Sequence, residues 1–513
     1  KYQIKTTTMK KLAVLCLCVL SFSACKVNKK QQSDSNAISK PNIIVVYLDD
    51  LGYGDVSAYG AKELITPNFD RIAKNGIRFT NGYASSPTCT PSRYALLSGQ
   101  YPFRKQKAKI LKGNAPLLFD IDKQTLPSML HDAGYFTGVI GKWHLGLGNE
   151  AMDWNGEISP GPRAIGFDYS YIMASTNDRV PSVYVQNEAV VNLDPKDPIA
   201  VSYKENFEGQ VTGKTHPELL KMHPSHGHNK TIHNGISRIG YMKGGNSARF
   251  IDEDMSDDFL KETLAFVDTH KDEPFFLFYS LHQPHVPRVP HPRFAGTSGL
   301  GPRGDVILEA DWAVGQLLDK LKALNLDKNT IIVFSSDNGP VLDDGYHDDA
   351  VEKNGDHTPK GGLRGGKYSL FEAGSHVPFM VSWPDTVKPG VSDALVCQMD
   401  LLASFAGMLN QPLELTDSEN VLDALLGKSN QGRESLILGQ NGLTTYRKGN
   451  WAFIPPHKGW KLNKQVNIET GRDKNMQLFD LSADRGQLKN VAKDHPELIE
   501  TFSAEIEAIV NKK

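Results

Sequence analysis

Five runs of apolar, β-branched and aromatic residues constrain this chain more than any other feature: 43–48, 137–140, 275–281, 331–334 and 379–382. They show no polar–apolar alternation, which is how a strand buried on both faces reads. Helical patterns lie between them, at 124–133, 257–269 and 305–324. The chain therefore predicts an α/β fold, a layered sheet covered by helices. "TPNFDRIAKNG" predicts a further helix, with Thr66 as N-cap and Pro67 at its first position. Two stretches, 147–250 and 339–366, are rich in Gly, Pro, Asn and His and show little periodicity. Long irregular segments inside a compact domain read as functional loops.

The two ends differ from this body. "YRKGNWAFI" and "MQLFDLS" predict short strands and 496–510 a terminal helix, so 432–513 reads as a smaller α+β unit behind a main unit at 41–431. At the start, "MKKLAVLCLCVLSFSAC" places a lysine pair, a short apolar run and small residues before Cys25. That is an export signal, too short to span a bilayer. Residues 1–8 read as an upstream extension before Met9, 1–25 as extension plus signal, and 26–40 as a polar tether. The end of the signal resembles a bacterial lipoprotein box, which would lipidate Cys25 and anchor the protein at the cell envelope, periplasmic or outer-surface; simple secretion with cleavage nearby is the other reading. Of five cysteines, three remain after processing, so no disulfide framework is implied. A net charge of −2 gives no sign of a nucleic-acid partner.

The chemistry begins at Cys89, alone in "SSPTCTPSRYALLSG". Pro91 suits the first turn of a helix and Gly99 its end. Cys89 would then stand at a helix N-terminus, where free N–H groups and the dipole favour negative charge, with Arg93 four residues on along the same face. A capped helix with an unrelated arginine is the plainer alternative. Asp49 and Asp50 follow the first buried run, and Asp337 and Asn338 follow the fourth. Sites in open α/β sheets form at the carboxyl ends of strands. Four oxygen-bearing side chains converging there suit a hard divalent cation, although such pairs taken alone are commonly solvated loop acids. Lys142 and His144, in "IGKWHLG", stand two apart and point the same way in an extended segment.

Cys89-Thr90-Pro91-Ser92-Arg93 is the C-x-P-S-R signature of the type I sulfatases, and the chain resembles that family over nearly its whole folded length. The resemblance implies an alkaline phosphatase-like central sheet, largely parallel or mixed and flanked by helices, with a smaller C-terminal α+β domain. It implies that a separate maturation enzyme oxidises Cys89 to Cα-formylglycine. One hydroxyl of the hydrated aldehyde attacks sulfur; the other later loses a proton and expels sulfate. It implies Ca²⁺, with Mg²⁺ as the alternative, on Asp49, Asp50, the residue-89 group, Asp337 and Asn338. Arg93, Lys142, His144 and Lys367 would surround the sulfate. In "LFYSLHQPHVPRVP", His282 matches the family's H-x-P histidine, which protonates the leaving oxygen, and His285 reads as a residue behind it. The Lys367 block departs from the family's E-G-G at Ala373 and carries His376 where Arg is common; Arg364 nearby reads as solvated. In the tail, Arg485 and Gln487 replace the family's Pro and Glu, at a structural turn. Two-metal phosphatases of related fold place Asp-His where this chain has Asp337-Asn338, which favours one metal and sulfate over phosphate or phosphonate.

The inserts at 174–195 and 223–242 resemble the galactose/N-acetylgalactosamine-6-sulfatase subgroup. That implies exo action on 6-O-sulfated galactose or N-acetylgalactosamine of a glycan. Ser175 would lie near the sulfate, Asp178 and Arg179 would bind sugar hydroxyls, and His226 or His228 would read the axial hydroxyl. Another linkage (4-O or 3-O), phosphate or phosphonate ester hydrolysis, and an inactive glycan-binding lipoprotein are the alternatives.

Overall fold

The computed structural model describes residues 40–150, 152–440 and 442–512; the signal, the tether and the lipid anchor on Cys25 lie outside the described residues. Ten strands build the main sheet: β1 Asn42–Leu48, β2 Gly76–Tyr83, β3 Phe136–Lys142, β4 Tyr169–Met173, β5 Tyr184–Gln186, β6 Ala189–Val190, β7 Phe275–Ser280, β8 Thr330–Ser336, β9 Phe379–Ser382 and β10 Gly390–Cys397. Their spatial order is β10-β2-β9-β8-β1-β7-β3-β4-β5-β6. The middle five, β8-β1-β7-β3-β4, are all parallel. Beyond them β9, β5 and β6 run antiparallel to their inner neighbours, and β10 pairs in parallel with β2.

β1 shows why its sequence is apolar throughout. Ile43, Val45 and Tyr47 enter one core, and Ile44, Val46 and Leu48 enter a second on the opposite face. Helices line both of these cores. Helices α2 (Cys89–Ser98), α3 (Leu126–Asp132) and α6 (Leu401–Leu409) supply Leu96, Met129 and Phe405 to the first. Helices α1 (Pro67–Lys74), α4 (Met255–Thr269) and α5 (Gly301–Ala323) supply Phe69, Phe259 and Val314 to the second. With both faces covered, burial at about 25 cal/mol per Å² of apolar surface favours unbroken Val/Ile/Phe runs over alternation.

Three sequence expectations are corrected. The stretch 147–250 is not wholly irregular, because β4, β5 and β6 lie within it. β2 and β10 carry no continuous apolar run and were not anticipated; their burial is mixed. Pro67 does open α1, but among the described residues the Thr66 side chain makes no capping bond. The amides of Asn68 and Phe69 donate instead to the Asp311 carboxylate on α5, at 3.0 and 2.8 Å.

The C-terminal part forms a second, four-stranded antiparallel sheet, β11 Ser435–Gln440, β12 Leu443–Lys448, β13 Trp451–Ile454 and β14 Gln477–Asp480, in that spatial order. The terminal helix, Pro496–Asn511, lays Phe502 against Tyr446 and Phe453. From Pro41 to Lys513 the chain is one compact unit.

Candidate active site

Each of the five central parallel strands ends at the same edge of the sheet and hands a polar group to it. β1 leads into Asp49 and Asp50, β8 into Asp337 and Asn338, and β7 into His282 and His285. β3 ends on Lys142 with His144 just beyond, and β4 leads to Ser175 and Asp178. Helix α2 brings Cys89 to the same place at its first residue, and its C-terminus closes at Gly99, whose φ of 65° suits a residue without Cβ.

Three carboxylates meet there. Ligating atoms of Asp49, Asp50, Asp337 and Cys89 all lie within 4.8 Å of one another, and all four residues are buried. Cys89 Sγ stands 3.5 Å from Asp49 Oδ1. Arg93 donates from Nε to Asp337 Oδ2 at 2.9 Å and from Nη1 to Ser280 Oγ at 2.6 Å. The Lys142 ammonium rests on Asp49, with Asp337 Oδ2 3.7 Å away. Lys367 bridges Asp50 Oδ2 at 2.8 Å and Asp344 Oδ2 at 2.7 Å.

The electrostatics follow from this crowding. Burial, then the charge of Asp337, pushes the Asp49 carboxyl well above the ordinary range despite Lys142. Burial and then Asp337 likewise push the Cys89 thiol well up, so the unmodified thiol is a poor nucleophile here. Burial alone would depress the Lys367 ammonium, but Asp344 and Asp50 outweigh it and hold it charged. The carboxylate set fits a hard divalent cation: oxygen donors of high negative charge, gathered on one side of residue 89. Asn338 supports the fit, since its buried Oδ1 finds no hydrogen-bond partner among the described residues while its Nδ2 donates to Asp50 Oδ1 at 2.7 Å.

Against this floor lies a small cavity of about 50 Å³. Cys89, His144, His285 and Lys367 line it on one side, and Asp178, Arg179 and His228 on another. His144 donates from Nε2 to the Leu111 carbonyl at 3.0 Å, leaving Nδ1 without a partner among the described residues. Asp178 accepts from Arg179 Nη1 at 2.7 Å and faces His228 Nε2 at 2.9 Å. Burial raises the Asp178 carboxyl, but Arg179 and the His228 hydrogen bond overcome it and hold the group well below its usual range. Gly345, at φ 122°, lets the imidazole of His228 pack against the backbone, where a Cβ would come within 2.0 Å of Nδ1.

Three sequence-based assignments need adjusting. His282 does not line the cavity; it is buried beside Phe259, with ring centroids 6.0 Å apart. Of the two histidines after β7, His285 lines it, with Nε2 4.0 Å from Asp50 Oδ2 and within the cluster of Asp49 and Cys89. Its Nδ1 donates to the Val286 carbonyl at 2.6 Å, which turns Nε2 toward the cavity's charged groups. His226 also stands off the lining, with Nδ1 3.0 Å from Ser225 Oγ. Ser175 lies buried with its Oγ unpartnered among the described residues. Sequence reasoning missed Asp344 and Tyr368, which line the cavity and are joined by the Tyr368 hydroxyl at 3.1 Å. Asp344 sits among three other aspartates in "VLDDGYHDD", and nothing local marks which one turns inward.

A cationic cradle over an acidic floor, sunk at the carboxyl edge of a parallel sheet, is the arrangement of a hydrolase for anionic esters. The family follows from the sequence: the sulfatase model matches residues 41–411, and this chain belongs to the sulfatase family as a sulfuric ester hydrolase. It is 49% identical over 488 residues to an N-acetylgalactosamine-6-O-sulfatase of Bacteroides thetaiotaomicron, covering 94% of this chain and 96% of that one. It is 31% identical over 411 residues to human arylsulfatase A, covering 77% of this chain and 70% of that one. A solved structure from work on glycosaminoglycan metabolism by Bacteroides thetaiotaomicron superposes with a TM-score of 0.91 at 49% identity, covering 92% of this chain and 100% of the other.

Proposed function

We propose that the protein is a carbohydrate sulfatase that removes the 6-O-sulfate from a terminal galactose or N-acetylgalactosamine of a glycan. The observation that carries this reading is the 49% identity, over 94% of the chain, to an N-acetylgalactosamine-6-O-sulfatase.

Conversion of Cys89 to formylglycine by a maturation enzyme would supply a hydrated aldehyde, with one hydroxyl to attack sulfur and another to release sulfate. Ca²⁺ held by Asp49, Asp50, Asp337 and Asn338 would supply positive charge against the sulfate oxygens. The remaining work falls to the chain. Lys367 in the cavity wall, and Arg93 and Lys142 buried behind it near residue 89, are each tied to a buried carboxylate and supply fixed positive charge toward the sulfuryl oxygens without having to reorganise. His285 takes the part first given to His282: Nδ1 keeps its proton on the Val286 carbonyl, so Nε2 is the atom that takes up a second proton from water beside the anionic ester and passes it to the departing sugar oxygen. His144, with Nε2 engaged, offers Nδ1 to the second hydroxyl proton of residue 89. Asp178 and Arg179 bind sugar hydroxyls, and His228 meets the axial one. Export and a lipid on Cys25 place the enzyme at the cell envelope.

Two measurements test this. The mass of the residue-89 peptide from active protein should correspond to an aldehyde; an unmodified thiol would overturn the proposed nucleophile. Desulfation of 6-O-, 4-O- and 3-O-sulfated galactose and N-acetylgalactosamine should be confined to the 6-O esters, and turnover of the 4-O or 3-O esters alone would overturn the linkage.

A further inference from the structure

A second cavity, about 310 Å³, adjoins the first, and Tyr368 stands in the wall of both. Its wall also contains Pro87, two residues before Cys89. The far side is a short two-stranded ladder, Leu462–Asn463 with Ile468–Glu469, inserted between β13 and β14. Trp460 leads into this ladder and is 83% exposed. Its backbone is nevertheless fixed. Thr470 donates from Oγ1 to the Trp460 carbonyl at 2.6 Å and from its amide to Lys461 O at 2.8 Å. The ladder is fastened to the segment that carries Lys367: Ser369 Oγ donates to Glu469 O at 2.6 Å, and the Leu370 amide to Thr470 O at 2.9 Å. An indole left in water on a pinned backbone presents a flat apolar face ready for a partner.

The charge around it has one sign to spare. Between 458 and 474 the chain carries Lys458, Lys461, Lys464, Arg472 and Lys474 against Glu469 and Asp473. Both acids are already paired, Glu469 with Arg364 at 2.6 Å and Asp473 with Lys461 at 2.5 Å. Arg472 lines the cavity with Asn463 and Gln465, and its guanidinium has no ion-pair or hydrogen-bond partner among the described residues. A free guanidinium fork beside an aromatic face matches a pyranose bearing a carboxylate or a sulfate.

We infer that this ledge is a subsite for the sugar adjoining the sulfated one, and that it selects an anionic sugar, stacked on Trp460 and ion-paired through carboxylate or sulfate to Arg472. The inference rests on the carbohydrate-sulfatase reading. Tyr368 stands in both walls, so a neighbouring sugar that extends from the catalytic cavity on that side reaches the ledge.

The test uses the full, matured enzyme and the variants Trp460→Ala, Arg472→Ala and Arg472→Lys. Substrates are a 6-O-sulfated monosaccharide and disaccharides in which the neighbour is neutral, a uronic acid, or a sulfated neutral sugar. For an acidic neighbour, Trp460→Ala and Arg472→Ala should raise KM about tenfold with kcat little changed, Arg472→Lys should recover part of the loss, and the monosaccharide should be unaffected. Dependence on Arg472 with the uronic acid or with the sulfated sugar identifies which anion is read. Equal losses on the monosaccharide, or equal Arg472 dependence with a neutral neighbour, would overturn the subsite. Indole fluorescence gives a readout independent of turnover: acidic disaccharides should quench it in the wild type and not in Trp460→Ala. Quenching without any 6-O-desulfation would sink the linkage and keep the ledge; desulfation of the monosaccharide without quenching would do the reverse.

Discussion

His282 and His285 stand three residues apart after the same strand, and only the second lines the cavity. Burial first, then Lys367 and Lys142, presses the basicity of His285 well below the ordinary value, so the ring rests neutral and gains its second proton only with an anionic ester beside it. Burial also lowers His282, to about 4, but its opposing neighbour is Asp252 rather than a site acid. His285→Ala should therefore cut kcat by about 10²–10⁴-fold toward substrates with a poor leaving group, whereas His282→Ala should cost less than about tenfold. Steady-state kinetics on a sugar sulfate and an activated aryl sulfate decide it; the reverse ranking would return the role to His282. The motif "HQPHVP" shows both histidines equally, and the choice between them depends on how the loop turns after Ser280.

At the scale of elements, the sequence marked strands by burial and helices by period, and failed where neither signal is strong. β2, "GIRFTNGY", is interrupted by Gly, Thr and Asn and half-buried at three positions, so it resembles a loop until β9 and β10 pair with it on either side. Helix α1 illustrates a long-range substitute for a local device. Its capping acceptor is Asp311, 243 residues away from Asn68, which satisfies two amides that the local chain leaves open. Asp311→Ala should lower stability by about 1–2 kcal/mol, while Thr66→Ser, which keeps the hydroxyl that accepts from the Ser57 amide at 3.0 Å, should cost less, because Thr66 makes no capping bond. Urea unfolding of the two variants checks the ranking. The departure at His376 also finds its reason in packing: Nδ1 faces Glu372 Oε2 at 3.0 Å and Nε2 donates to Thr80 O at 2.8 Å, so the histidine fills a built position.

Across the whole molecule, Glu372 fastens the second sheet to the first. It accepts from Tyr83 at the end of β2 at 2.6 Å and pairs with Arg447 of β12 at 3.4 Å, while Gln487 of the tail accepts its amide at 2.7 Å. Burial raises the Glu372 carboxyl, but Arg447 and the His376 hydrogen bond overcome it and bring it from 4.5 to about 2. That depression is worth about 3 kcal/mol. The sign is that of a depressed acid: the contribution is complete above pH 4.5 and is lost as pH falls toward about 2. Glu372→Gln should therefore be less stable at pH 7 and lose less on acidification than the wild type; parallel pH profiles of unfolding would refute the role. The sequence by itself determined the layering and the chemistry available, because unbroken apolar runs can be buried only as covered strands, and because residues just past a strand must lie at its carboxyl edge. Only the tertiary structure decided which histidine and which of four neighbouring aspartates enter the cavity, and that a two-stranded ladder of the C-terminal part walls the neighbouring one. Those choices depend on contacts between segments tens to hundreds of residues apart, whose directions no local pattern encodes.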